Sequence, residues 1–359
     1  MVRVCFGRLC YLREALQFPP ELCDRQFLIL DPRVNRLHNQ IISSELGIFL
    51  ARAWGRVLLL PGFFSLPSTD PDSGEWARVG SLFDLEHLRR CHEVYELQEA
   101  LQVCGEDVVA GDMGLWPMTV PWDRGYRKEI KVKIARRGML ALQPSFMRGP
   151  LDLGNPPMNF PPQVAQLDLV LESTRTILVN GCFVLDPPRP VVGHTCFVPA
   201  RHLDQQAAAI LSPRDAKDCA VLHWRWFNET DDYQHYWDSC KLTASAAAGV
   251  LRETGFTCLW VISDAPSSAR EELQRSLHGV RFTRDPVNIG SEESFEQASA
   301  TLRAVVVDDS VALHAGAFVG NPCSTMSSYI MQLRLQQGKD PGIMHHRQHV
   351  DLKLRDAGI

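Results

Sequence analysis

The sequence contains no run approaching the roughly 18 consecutive apolar residues that a membrane helix requires, so it offers no transmembrane span. No two of its cysteines stand as a CxxC pair and no Cys/His spacing repeats, which argues against a zinc centre. Excess positive charge is missing too. A net charge of -5 and a pI near 6.2 argue against a protein held on nucleic acid by a global basic field. The absence of an internal repeat or low-complexity tract sets aside solenoids and disordered arrays. The amino terminus, MVRVCFGRLCYLREALQFPP, has arginines but no continuous apolar region after them, and no signal peptide is expected from it.

What is present fits a soluble α/β protein large enough for two domains: 359 residues, of which 45% are hydrophobic. Eleven cysteines are compatible either with a few disulfides and a spare thiol in a lumenal protein or with buried thiols in a reducing compartment; the spacing does not choose.

Residues 26–31, QFLILD, read as a buried strand. A polar loop, 32–40, follows it. In the stretch 39–54, Ile42, Leu46, Phe49, Leu50, Ala53 and Trp54 share one helical face, Gly55 ends the helix, and 56–61, RVLLLP, reads as a second buried strand. This strand-loop-helix-strand unit is the kind that builds a parallel sheet and puts the loop at its ligand-facing edge. The segment 81–90 reads as a strand end turning into a helix. Asp70 and Asp72 form an Asp-x-Asp in a turn-rich loop, for which an ordinary turn is a better reading than metal binding. The basic stretch 125–137 reads as a solvated edge strand, with an anion-facing role as the alternative. After a composition shift at 186–199, a helix is expected at 201–211. Strands and helices then alternate regularly: strand 220–224, helix 236–254, strand 257–263, helix 267–277, strand 280–284, helix 295–315, strand 317–320, helix 327–337. That is a doubly wound pattern.

The candidate site centres on AVLHWRWFNE, residues 220–229. Its apolar run stops at His223 and Arg225, and ligands of α/β proteins gather at the carboxyl ends of strands. Asn35 to Gln40, Asp308 and the turn-rich 320–327 would join the same site. Ser324, Thr325 and Ser327 stand where a helix N-terminus attracts phosphate, and Arg225 offers two parallel donors to a phosphate. Each has a plainer alternative: helix capping for the hydroxyls, a satisfied core position for His223, a carboxylate partner such as Glu229 for Arg225, and a solvated helix face for Asp308 beside Asp309.

The order of these blocks resembles that of the GDP-fucose protein O-fucosyltransferase family. NRLHNQ (35–40) is similar to the family's Gly-Arg-Phe-Gly-Asn-Gln loop, and SLFDLEHLR (81–89) to its Phe-Asp-hydrophobic-Glu segment. HWR (223–225) resembles its His-x-Arg, ISDAP (262–266) its Thr/Ser-Asp-Ala-Pro turn, and VDDSVALHAGAFVGNPCSTMSSYI (307–330) its final block. The resemblance implies an α/β fold of the GT-B type, two Rossmann-like domains facing each other across a cleft, drawn here as 1–205 on the acceptor side and 206–359 for the nucleotide sugar. It implies an inverting, metal-independent glycosyltransferase with no cofactor, moving fucose from GDP-fucose to a hydroxyl of a protein Ser or Thr or of a glycan. Use of another nucleotide sugar and a catalytically inactive nucleotide-sugar-binding relative are the alternatives. Carried over residue by residue, Arg225 would stabilise the charge on the departing GDP, and His223, Asp308, Ser324, Thr325 and Met326 would bind the donor. Asn39 and Arg36 would lie near the fucose and the acceptor hydroxyl.

Three departures stand out. Asn35 and His38 occupy family glycine positions, and Met326 replaces the aromatic that follows Ser-Thr. Arg36 stands where one branch of the family has a carboxylate proposed as base. The general base is therefore open between His38, Glu229 and Asp231, with a base-free route as the alternative. The sequon Asn228-Glu229-Thr230 is expected to be unmodified, because a glycan there would crowd the site. Family resemblance places the protein in the secretory lumen, whereas the missing signal allows a cytoplasmic location.

Overall fold

A computed structural model of the chain describes residues 20–31, 37–64, 76–108, 113–117, 176–180, 195–211, 216–226, 240–282, 295–321 and 324–344. The first half contributes β1 (Phe27–Asp31), α1 (Leu37–Ala53), β2 (Val57–Leu60), the antiparallel pair β3 (Phe63–Phe64) and β4 (Trp76–Ala77), α2 (Val79–Leu82), α3 (Leu85–Cys91), β5 (Val94–Glu96), α4 (Leu97–Cys104), β6 (Met113–Pro117) and β7 (Thr176–Asn180). Five of these strands form a parallel sheet in the order β5-β2-β1-β7-β6. The continuous apolar runs FLIL and VLLL are what a strand covered on both faces requires, and every residue of Val57–Leu60 is buried.

The second half contributes α5 (Arg201–Ile210), β8 (Cys219–Trp224), α6 (Ala244–Thr254), β9 (Cys258–Ser263), α7 (Ser267–Ser276), β10 (Arg281–Phe282), α8 (Phe295–His314), β11 (Ala317–Gly320), α9 (Thr325–Gln336) and β12 (Ile343–Met344). Its parallel sheet runs β10-β9-β8-β11-β12. In chain order these are the third, second, first, fourth and fifth strands of that half. Winding therefore reverses between β8 and β11, the kind of point outside whose carboxyl strand ends α/β sheets bind ligands.

Most expected elements form near their expected bounds, with informative differences. The helix expected from 236 begins at Ala244, because the Thr243 side chain accepts from the Ala246 N–H and fixes the start. The last helix begins at Thr325, two residues early, which sets Ser324 at its N-cap position. The segment 81–90 holds the end of α2, a single bridge from Phe83 to Pro199, and α3, started by the Asp84 carboxylate accepting from the His87 N–H. The face expected to be buried on α1 is found only in part, with Leu50 buried and Trp54 packed against the core. Phe49 is 48% exposed, while Leu37, Ile41, Ile48, Leu50 and Ala51 are buried together with Gln40, Ser43 and Ser44. The helix packs on β1, β2 and α9 at once, so its burial follows those neighbours rather than a single stripe. The stretches 70–72 and 125–137 lie outside the described residues.

One apolar cluster joins the halves, running from Leu28 and Leu30 on β1 through Val306 and Leu313 on α8 to Val221 on β8 and Phe318 on β11. Disulfides Cys23–Cys104, Cys91–Cys196 and Cys219–Cys258 close segments separated by 81, 105 and 39 residues. The cysteine count thus resolves toward disulfides. Among the described residues no helix is long and apolar enough to cross a membrane.

Candidate active site

β8 is a central strand with all six residues buried, and it delivers His223 and Arg225 to the point where winding reverses. The next strand across that point is β11, paired so that Val319 faces Leu222. Gly320 ends it. A Cβ there would sit 3.0 Å from the Ser327 Cβ and 2.9 Å from the Phe318 ring, so only glycine lets the first turn of α9 close onto the strand. Ser327 Oγ takes up the contact: it accepts from the Asn321 N–H at 2.8 Å and shares a 2.7 Å hydrogen bond with His223 Nδ1. Asn321 Nδ2 donates to the Cys240 carbonyl at 3.0 Å. His223 is buried and braced directly to the last helix.

Arg225 forms an ion pair with Asp264 at 2.5 Å, and the other carboxylate oxygen of Asp264 accepts from the Trp226 N–H at 2.6 Å. Asp264 belongs to the ISDAP turn at the end of β9. Among the described residues the carboxylate partner of Arg225 is Asp264; Glu229 lies outside them. With 27% of its side chain exposed, the guanidinium can still meet a solute from solution. Asp308 is partly buried and accepts from the Trp260 Nε1–H at 3.1 Å.

Among the described residues, neither the Ser324 nor the Thr325 hydroxyl caps the last helix. Ser324 occupies the N-cap position of α9 without a side-chain cap bond, and Thr325 Oγ donates to Asn39 Oδ1 at 2.7 Å. That bond spans 286 residues and joins the first turn of α1 to the first turn of α9. It brings two of the separated blocks into contact. Met326, by contrast, belongs to the apolar core.

His38 is buried, with Nε2 3.1 and 3.0 Å from the two carboxylate oxygens of Asp309, which is fully buried. Burial pushes the Asp309 carboxyl upward and the facing imidazole pulls it back. Tyr329 stacks tilted on the His38 ring at 5.3 Å and donates to the Phe197 carbonyl at 2.7 Å; burial, with Asp309 and Glu45 nearby, drives its hydroxyl well above the usual range. Arg36, Glu229, Asp231 and Asn228 lie outside the described residues. No group of three or more His, Cys, Asp or Glu side chains suited to a metal ion exists among the described residues.

The sequence reading missed Asp264 and Asp309. Asp264 lies in the ISDAP motif at the end of β9, a position that is signal enough. Asp309 could have been told from Asp308 by phase: Leu302, Val306, Asp309 and Leu313 fall at helical spacing on one buried stripe.

No family model and no curated protein matches the sequence. Among solved structures, POFUT1 in complex with GDP-fucose aligns with a TM-score of 0.63 at 14% identity, over 89% of this chain and 96% of that one. The fold is that of POFUT1. A second POFUT1 structure, in complex with GDP, aligns with a TM-score of 0.61 at 15% identity over the same shares of the two chains. The apo form of POFUT1 aligns with a TM-score of 0.57 over 88% of this chain. At these coverages the shared fold extends over most of the chain.

Proposed function

We propose that the chain is an inverting, metal-independent fucosyltransferase of GT-B architecture that uses GDP-fucose as donor and a hydroxyl of a protein Ser or Thr, or of a glycan, as acceptor. The observation that carries this reading is the meeting of Asn39 with Thr325, 286 residues apart, beside a strand end that holds Arg225, in a fold shared with a protein solved with GDP-fucose. The two Rossmann-like halves of that architecture are taken as residues 1–205 and 206–359; α5, which straddles the boundary, packs on α8 and is tied to it by His314 Nε2 and Asp204 Oδ1 at 2.9 Å.

In this reading Arg225 neutralises charge that develops on the GDP leaving group, with Asp264 holding the guanidinium in place. The Thr325 and Ser324 hydroxyls and the N–H groups of the first turn of α9 take the diphosphate. His223 and Asp308 contact the nucleotide, with Met326 behind them. Asn39 and Arg36 orient the sugar and the acceptor hydroxyl. No cofactor takes part. With His38 turned toward Asp309, the base is sought at Glu229 or Asp231, or the acceptor loses its proton to water. The disulfides suit an oxidising compartment, and a secretory lumen is proposed.

The test is GDP release from GDP-fucose. Arg225→Ala is expected to lower kcat by roughly 10² to 10³, the scale for one transition-state donor. Undiminished turnover in that variant would refute the assigned role. Thermal shifts with GDP, UDP and ADP separate the donor alternatives, since a ligand at about 100 times its Kd stabilises by roughly 2.7 kcal/mol. Equal shifts with all three would rule out a guanine-selective pocket.

A further inference from the structure

We infer that His38 and Asp309 are a positioning pair: their buried bond locks the first turn of α1 onto α8 and thereby holds Asn39 and Asp308 at the site. The inference rests on the reading of the site given above. Its starting point is the cost of Asp309. A carboxylate on the apolar stripe of α8, with no exposure at all, is tolerated only with a partner. Both of its oxygens lie within 3.1 Å of His38 Nε2. The imidazole is held on a second side by Tyr329, whose own hydroxyl is bound to the Phe197 carbonyl.

What makes the pair functional is where its neighbours stand. Asn39 follows His38 on α1 and accepts from Thr325 at the head of α9; Asp308 precedes Asp309 on α8 and accepts from Trp260 on β9. Consecutive residues of a helix project about 100° apart, so on each helix one residue is sunk into the core and the next reaches toward the site. The buried pair is the fixed point from which both partly buried groups are aimed. His38 also stands where the resembling family has glycine. A side chain at that position needs a destination, and Asp309 supplies one across 271 residues of chain.

A positioning role and a general-base role for His38 make opposite demands on Asp309. A positioning bond needs only an acceptor for the Nε2–H, which an Asn also provides. A His base whose imidazolium is stabilised by a carboxylate needs the charge, and Asp-to-Asn replacement is then severe. The experiment uses the full chain and the variants H38A, D309N and H38A/D309A. The double variant lacks the isolated buried carboxylate that destabilises H38A.

Expected results are a fall of about tenfold or more in kcat for H38A and for H38A/D309A, together with weaker GDP binding by calorimetry, because Asp308 loses its aim at the nucleotide. D309N is expected to retain most of the rate, with a pH-rate profile of the parent shape. A D309N loss beyond about a hundredfold, or an H38A profile without its ascending limb, would make His38 the base and overturn the inference. Full kcat in H38A/D309A would overturn it too.

A parent protein that releases no GDP from GDP-fucose would instead refute the proposed function. The pair is then judged by thermal unfolding alone. The N39A/T325A double-mutant cycle should show coupling in the parent and in D309N, and none in H38A/D309A. Coupling that survives in H38A/D309A would overturn the positioning role independently of activity.

Discussion

Thr325 donates its hydroxyl hydrogen to the side-chain oxygen of Asn39 over 2.7 Å, so the heads of the first and last helices are joined directly. The same hydroxyl is the group assigned to the diphosphate, and a bound donor would draw it away from Asn39. Thr325→Val keeps the shape and removes the hydroxyl. It should cost about 0.5–1.5 kcal/mol of stability without ligand and weaken GDP binding by roughly tenfold, measured by urea unfolding and calorimetry. Unchanged GDP affinity would reduce Thr325 to a structural tie.

Arg334 predicts a large loss of stability. It is 1% exposed and gathers the carboxyl end of α8, with Nη1 donating to the Ala312 and Ala315 carbonyls at 2.6 and 2.9 Å and Nε donating to the Asp340 carbonyl at 2.6 Å. Desolvation lowers its pKa from the free value, yet the cation stays where the helix end is negative. Arg334→Met fills the volume and strands three carbonyls. A destabilisation of about 2–4 kcal/mol is expected in chemical denaturation; a change below about 0.5 kcal/mol would contradict this account of the helix end.

Glu45 on α1 should make stability fall as pH rises. Burial raises its carboxyl from 4.5 to about 7, partly offset by hydrogen bonds from the Thr195 side chain and the Cys196 backbone. The folded state therefore holds this proton more tightly than the unfolded chain. Between about pH 4.5 and 7 the unfolded state ionises first, so stability declines through that window and levels off above it. Glu45→Gln removes the penalty and should add on the order of 1–3 kcal/mol at pH 8 and nothing at pH 4. Urea midpoints for both proteins from pH 4 to 8 give the answer, and parallel curves would place the titration elsewhere.

Reduction should act on the site as well as on the fold. Cys219 and Cys258 face each other in register on β8 and β9, the strands that lead to Arg225 and Asp264. Replacing both by Ser reopens a loop whose closure contributes roughly 2–5 kcal/mol. A drop in unfolding midpoint is expected, with a smaller rise in the KM for GDP-fucose. A KM that rises while the midpoint is unchanged would mean the bond serves the site alone.

Local pattern determined much of this protein by itself. Apolar runs bounded by polar residues set β1, β2, β8, β9 and β11. The spacing of strands and helices set the doubly wound order of the second sheet, and the order of the polar blocks pointed to Arg225, Asn39 and Thr325. Those features depend on neighbours a few residues apart, and the sequence records such neighbours. Only the tertiary structure decided that Asp264 pairs with Arg225, that Asp309 rather than Asp308 is sunk in the core against His38, that the cysteines at 219 and 258 are joined, and that Phe49 faces solvent. Each of those outcomes is set by groups between 39 and 271 positions away or by packing on three sides of one helix. Burial and partner choice belong to the assembled surroundings, and no local period can carry them.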